Sequence, residues 1–369
     1  MVSICVAVLS YSCFDDGMFS SRMSIGVAVA VVAGILGFAP ASAVPSVERD
    51  KVVAQGLTSP WGLAFLSNGK AWVSERDTAL IKEIDPSKPA GRNTRTVGKI
   101  AGVEPSGEGG LLGIALSQSQ NELYAYYTAA KDNRVVRIPI VGGKLGKPTV
   151  ILSGIPKNSY HNGGRILVRP DGGIYVATGD AGDPDLSQIP NNLGGKILLI
   201  DRNGKAMGGP RVFSSGHRNV QGLALDSRGQ LWASEFGSKD ADELNLIQRG
   251  KNYGWPLYEG YSTNPNYVSP KMQWAPTSLA SPSGIAIADD NAFVASLRGE
   301  VLWQVPLTGV TSADPKAQTP IAVKLGDLGR LRTIEQAPDG SLWLISSNTD
   351  GRGDPSRVDD RIYRLKMLN

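Results

Sequence analysis

Only two histidines occur in the 369-residue chain, His161 and His217. Each stands beside glycine and arginine, in His161-Asn162-Gly163-Gly164-Arg165 and in Gly216-His217-Arg218-Asn219. An imidazole near its free pKa takes a hydroxyl proton readily at neutral pH, so His161 is a candidate general base. The competing role is structural, which is the commoner one for a lone histidine. Arginines recur in comparable settings: Arg218 with Asn219, Arg298 in Ser296-Leu297-Arg298-Gly299, and Arg330 with Arg332. Guanidinium groups pair bidentately with carboxylate or phosphate. Several that converge predict an anionic ligand; scattered, they are solvated loop residues. Oxygen ligands gather in Glu235-Phe236-Gly237-Ser238-Lys239-Asp240-Ala241-Asp242-Glu243, four carboxylates within nine residues, with Asn252-Tyr253-Gly254-Trp255 close behind. Such a loop suits a hard cation such as Ca²⁺. Acidic loops are common, so spacing alone leaves calcium open, and no His/Cys set suits zinc.

Something must hold these groups in place. Hydrophobic residues are 41 % of the chain, enough for a large core and too many for a disordered one. The 44 glycines have no period of three, which excludes collagen. A net charge of +4 without a long basic run is no nucleic-acid footprint. Arg22, the apolar stretch Ile25 to Phe38 and then Pro40-Ala41-Ser42-Ala43 read as a secretory signal over residues 1–43. Met18 and Met23 are alternative starts, and a retained anchor is the competing reading. Both cysteines, Cys5 and Cys13, lie before the expected cut. The mature chain, residues 44–369, then has neither disulfide nor thiol chemistry, no stable membrane span, and an extracytoplasmic or secreted location.

From Trp61 onward one pattern returns six times: a short strand, Gly-apolar-Ala-apolar in four of the six, then a polar turn and an aromatic-rich strand. Trp61-Gly62-Leu63-Ala64-Phe65, Gly113-Ile114-Ala115-Leu116, Arg165-Ile166-Leu167-Val168, Gly222-Leu223-Ala224-Leu225, Gly284-Ile285-Ala286-Ile287 and Thr333-Ile334-Glu335-Gln336-Ala337 open the six units. The Asn-Gly and Asp-Gly turns at Asn68, Asp171 and Asp339 supply the positive φ of two-residue hairpins. A period of roughly 50 to 60 residues is that of propeller blades. The pattern predicts an all-β, six-bladed propeller of four-stranded antiparallel blades in one domain. Asp242 to Gln248 is the one stretch with room for a short helix. Both histidines precede inner strands and are expected at one channel mouth.

The motifs in combination resemble the soluble glucose/sorbosone dehydrogenases, quinoproteins that use pyrroloquinoline quinone (PQQ). The resemblance runs through Ser59-Pro60-Trp61-Gly62, Gly107-Glu108-Gly109-Gly110-Leu111-Leu112-Gly113, His161-Asn162-Gly163-Gly164-Arg165, Thr178-Gly179-Asp180, Leu193-Gly194-Gly195-Lys196-Ile197, Gly216-His217-Arg218-Asn219-Val220-Gln221-Gly222-Leu223, Ser234-Glu235-Phe236-Gly237, Asp242-Glu243-Leu244-Asn245, Gly250-Lys251-Asn252-Tyr253-Gly254-Trp255-Pro256, Ser296-Leu297-Arg298-Gly299 and Arg330-Leu331-Arg332. It covers nearly all of the mature chain and implies six blades independently. It implies His161 as the base at the sugar's anomeric hydroxyl and Arg218 beside the reactive quinone carbonyl. Glu108, Asn219, Thr277, Leu297, Arg298, Arg330 and Arg332 become cofactor contacts. Gly237 and Ser238 become the carbonyl ligands of an active-site Ca²⁺, and Asp242, Glu243 and Tyr253 a second, structural calcium site. The implied reaction is oxidation of an aldose to its lactone, with electrons passed to an unidentified acceptor.

Two positions depart from the family pattern. Glu108 stands where some members carry Gln, placing a carboxylate beside an anionic cofactor. Ser238 stands where some have Pro, a change that spares the carbonyl. A calcium-dependent lactonase and a non-catalytic secreted propeller that binds glycan or protein are the alternative functions.

Overall fold

The computed structural model describes residues 46–310 and 319–368, and the expected signal segment lies outside them. Twenty-four strands form six four-stranded antiparallel sheets, and a short strand, Lys144–Leu145, adds to the second. The innermost strands are Pro60–Phe65, Leu111–Leu116, Ile166–Val168, Val220–Leu225, Pro282–Ala288 and Leu331–Gln336, one for each repeat read in the sequence. The sixth blade is completed from the other end of the chain. Its strands Leu331–Gln336, Leu342–Ser346 and Arg361–Leu368 take Ser46–Gln55 as their outermost member, with Ser46 opposite Leu368 and Gln55 opposite Arg361. This pairing ties the first described strand to the last and closes the ring.

The core explains why six blades stay together. Side chains alternate across a strand, so each sheet offers an apolar face to each neighbour. In Ile174–Ala177, Ile174 and Val176 pack toward the second blade while Tyr175 and Ala177 pack toward the fourth. Six apolar layers result, each shared by two successive blades, the last joining the sixth blade to the first. Both faces of every blade are therefore buried, and the second strands read as continuous apolar runs. Two of their tryptophans keep the polar handle satisfied: Trp72 Nε1 donates to Glu83 at 3.2 Å and Trp232 Nε1 to Asp226 at 3.1 Å.

The stretch Asp242–Ile247 is a strand, the third of the fourth blade, and not a short helix. Its pairing with Leu231–Glu235 overrides whatever helical tendency the sequence has. Among the described residues helical structure is limited to two 3₁₀ turns, Pro184–Ser187 and Thr277–Leu279. No helix among them is long and apolar enough to cross a membrane.

Small residues on the inner strands follow from crowding at the axis. A Cβ on Gly222 would collide with the Ser283 carbonyl of the next blade and with the Ser234 hydroxyl. Because the first of these is backbone, the ring itself would have to give. Gly222→Ala is therefore expected to lower unfolding stability by about 1–3 kcal/mol, the usual cost of overpacking. Urea melts of the two proteins check this, and superimposable curves would contradict it.

Candidate active site

In an antiparallel blade the start of the inner strand and the end of the second strand meet at the same rim. Residues at those twelve places share one mouth whatever their distance in sequence. Arg218, Arg330 and Arg332 lie at or just inside inner-strand starts; Phe236, Leu297, Arg298 and Asp350 follow second strands. Together they line a cavity of two lobes, which share Glu108, Phe236, Leu297, Arg330 and Arg352 as walls. His161, Arg218, Arg298 and Arg330 all line the larger lobe, and Thr277 forms part of its wall. Its volume, about 390 Å³, is within the range of small-molecule sites. Arg332 lines the deeper lobe with Trp61, Arg76 and Gln221.

His161 is held from three sides. Its backbone is left-handed, φ +56°, which a non-glycine residue adopts only when its surroundings enforce it. The enforcing contacts are its N–H, donated to Glu108 Oε2 at 3.1 Å, and its carbonyl, which accepts from Ala181 at 3.1 Å. Gly163 follows at φ +63°, where any side chain would run into the Thr178 backbone. Nδ1 lies 2.7 Å from Asp180 Oδ1. A carboxylate accepts, so Nδ1 carries the proton and Nε2 is left as the basic nitrogen. Asp180 is buried and also accepts from the Gly182 N–H and from Trp255 Nε1. This is the base-plus-orienting-carboxylate arrangement of general-base catalysts.

His217 does not share the mouth. It is fully buried, between Ser214 Oγ at 2.8 Å and Glu235 Oε2 at 2.8 Å, and stacks on Tyr253. Both ring nitrogens are occupied, so its role is structural. Proximity to an inner-strand start was a sound cue for the backbone but does not fix which way a side chain turns.

The arginines differ in how far their charge is already met. Arg76 pairs with Asp77, and Arg352 with Glu108 at 2.7 Å. Arg330 and Arg332 share one carboxylate, Asp350, at 3.1 and 3.4 Å. Neither Arg218 nor Arg298 has a carboxylate partner among the described residues; Arg218 donates instead to the Gly237 carbonyl at 2.7 Å. Burial pushes the Arg332 guanidinium down to about 10, with Asp350 acting against that, so it stays charged at neutral pH. Arg332 Nε and Asn219 Nδ2 are among the buried donors that find no partner in the described residues. Glu108, the apparent obstacle to an anion, is spent on Arg352 and the His161 N–H.

The proposed metal ligands divide. Gly237, Ser238 and Asp242 lie together on the larger lobe. Asp242 accepts from the Gly237 and Ser281 N–H groups, and burial raises its carboxyl to about 7. Glu243, next along the strand, instead accepts from Gly260 N–H and Asn245 Nδ2. The Tyr253 hydroxyl is bonded to Leu246 and Gln248. The structure thus does not bring Asp242, Glu243 and Tyr253 to one point, because neighbours in a strand face opposite ways. No group of three or more His, Cys, Asp or Glu among the described residues is placed to hold a metal.

Sequence reasoning passed over Asp180, Asp350, Trp255, Arg76 and Arg352. All but Trp255 lie just beyond second strands, and that rim position is the signal that could have found them.

The chain belongs to the Glucose / Sorbosone dehydrogenase family, whose profile matches residues 57–363. The PQQ-bound aldose sugar dehydrogenase of Streptomyces coelicolor is 48% identical to it, with a TM-score of 0.83 over 88% of this chain and 99% of that one. The aldose sugar dehydrogenase of Escherichia coli is 26% identical over 84% of this chain and 92% of its own. Quinoprotein glucose dehydrogenase B of Acinetobacter calcoaceticus is 29% identical over 59% of this chain and 54% of its own. The matches in sugar dehydrogenases extend across the propeller and are not confined to one motif.

Elsewhere on the inner strands Arg165 lies 4.3 Å from the Trp61 ring centre and donates to the Gln221 carbonyl and to Thr333 Oγ1. On the same inner strand as Thr333, burial raises the Glu335 carboxyl to about 7, with the Arg165 charge partly offsetting it. A carboxyl that holds its proton more tightly folded than unfolded favours the folded state at low pH. That contribution is lost as pH rises from about 4.5 to about 7. Stability should therefore fall over this window, by up to roughly 3 kcal/mol from this group. In Glu335→Gln the share of the fall due to this group should be absent, so the curve should drop less over the window than the parent's; parallel pH–stability curves for the two proteins would contradict the assignment.

Proposed function

We propose that the cavity binds PQQ and that the protein oxidises neutral aldoses at the anomeric carbon to lactones. The observation that carries this reading is the charge left over at the mouth. After Arg76, Arg352 and one of the Arg330/Arg332 pair are matched to Asp77, Glu108 and Asp350, three guanidinium groups are left without an ion pair; Asp242, on the same lobe with its carboxyl raised to about 7 by burial, offsets them only in part, and PQQ has three carboxylates. The partnerless donor on Arg332, which lines the deeper lobe, is a further group that an anion of this kind would satisfy. The similarity to a PQQ-bound aldose sugar dehydrogenase supports the same ligand. A guanidinium-rich wall does not favour a lactonase, which needs carboxylates around its metal.

When bound, PQQ would supply the two-electron acceptor for the hydride from C1. His161 Nε2 would take the anomeric hydroxyl proton, with Asp180 stabilising the imidazolium that forms. Arg218 would stabilise negative charge that develops opposite the base. Leu297 and Phe236 would exclude water from the lobe junction. Arg298, Arg330 and Arg332 would fix the carboxylates, with Thr277 and Asn219 as polar contacts. The Gly237 and Ser238 carbonyls are hard oxygen donors of the kind Ca²⁺ takes; Arg218, which donates to the Gly237 carbonyl at 2.7 Å, would have to release it, and the ion would contribute Lewis-acid polarisation there. Residues 1–43 would direct export and be removed; N-terminal sequencing of the mature protein tests that boundary.

The reading is tested by adding PQQ and Ca²⁺ to the purified protein and following dye reduction with a panel of aldoses. Turnover that needs both PQQ and sugar is expected, and its absence across the panel, with no bound PQQ, contradicts the proposal. Arg330→Ala and Arg332→Ala should each weaken PQQ binding by about 1–3 kcal/mol; titrations matching the parent would remove them from the site. His161→Gln should keep PQQ binding and lose turnover about a hundredfold or more. Chelation should lower activity and the melting temperature of the PQQ complex, and Ca²⁺ should restore both.

A further inference from the structure

We propose that Trp255 is a positioning residue that joins the proton-accepting arm of the site to its cationic arm. This rests on the function proposed above and adds a residue to which nothing in the motif reading gave a role.

Trp255 is itself firmly anchored. Its N–H donates to the Gly216 carbonyl at 3.0 Å, and its carbonyl accepts from Ser187 Oγ at 2.6 Å and from the Gln188 amide. These bonds tie it to the loops that lead into the fourth blade and to the 3₁₀ turn of the third. From that base the side chain reaches two groups. Nε1 donates to Asp180 Oδ2 at 3.0 Å, and the indole ring lies 5.4 Å from the Arg218 guanidinium.

The first contact completes the carboxylate. Asp180 is 1 % exposed, so water does little for it, and its charge depends on fixed donors. Oδ1 receives His161 Nδ1–H and the Gly182 N–H; among the described residues Oδ2 receives only the indole. Removing that donor leaves one buried oxygen unmet, which favours rotation of the carboxyl toward other donors. A rotated Asp180 no longer fixes the proton on Nδ1, and Nε2 is no longer reliably the free base. The second contact places the Arg218 cation beside an aromatic ring, within the range of a cation–π attraction. One rigid side chain thus sets both the nitrogen that receives the proton and the position of the guanidinium.

Trp255→Phe keeps an aromatic ring and removes the donor. The chain has two histidines, so ¹⁵N spectra of the cofactor-free protein resolve both imidazoles. In the parent, His161 should show a single Nδ1–H tautomer. In Trp255→Phe it should become a mixture, while the buried His217 pattern stays fixed as a control for folding. In the holoenzyme kcat should fall about tenfold, with KM and PQQ affinity within twofold. The same substitution in an Asp180→Asn background should cost nothing further. An unchanged His161 spectrum, or an equal loss of kcat with and without Asp180, overturns the proposal. If His217 is also disturbed, site-specific 3-benzothienylalanine at 255 keeps the bicyclic shape without the N–H and must give the same His161 change. Lack of PQQ-dependent turnover in the parent would fail the functional reading, whereas the tautomer measurement stands without cofactor.

Discussion

The site depends on guanidinium charge gathered at one mouth in excess of what the protein's own carboxylates can meet. Arginines from the fourth, fifth and sixth blades face the same space, and like charges so placed repel one another. The fold tolerates this because three of the groups are anchored: Arg218 on the Gly237 carbonyl, Arg330 and Arg332 on Asp350. What remains is a standing demand for anionic ligand. A preorganised, partly desolvated cationic site of this kind binds carboxylates strongly because little has to move when they arrive.

The propeller makes such a concentration possible. Six apolar layers between blades carry the stability, which leaves the rim free of packing duties. Inner-strand starts and second-strand ends deliver side chains from every blade to the same opening. The left-handed backbone at His161 and the glycines after it are local costs that the surrounding network absorbs. Glu108 shows the economy of that network: one carboxylate neutralises Arg352 and fixes the His161 backbone.

Much of this was legible in the chain. The repeated inner strands, Gly-apolar-Ala in four of the six, gave six blades because crowding at an axis selects small residues, a constraint that is local and repeated. Arg218, Arg330 and Arg332 were legible because a charged residue at an inner-strand start is rarely core, although Arg165, buried against Trp61, is one that is. His217 was not, since its position matches that of His161 and only the fold shows it turned inward onto Ser214 and Glu235. Tyr253 was assigned beside Asp242 and Glu243 by the family resemblance, but its hydroxyl is taken up by the Leu246 carbonyl and the Gln248 N–H. Asp180 lay within a quoted motif, yet an Asp after Gly reads as a turn until its contact with His161 is seen. Closure of the ring by Ser46–Gln55 was hidden because periodicity never names a distant partner.

The central claim, that three unmatched guanidinium charges define the ligand, is tested most directly by calorimetric titration with PQQ and with its uncharged trimethyl ester. The account predicts one site per chain for PQQ, weakening steeply with salt, and no measurable binding of the ester. Equal affinity for the two ligands, or no binding of PQQ to the folded protein, would contradict it.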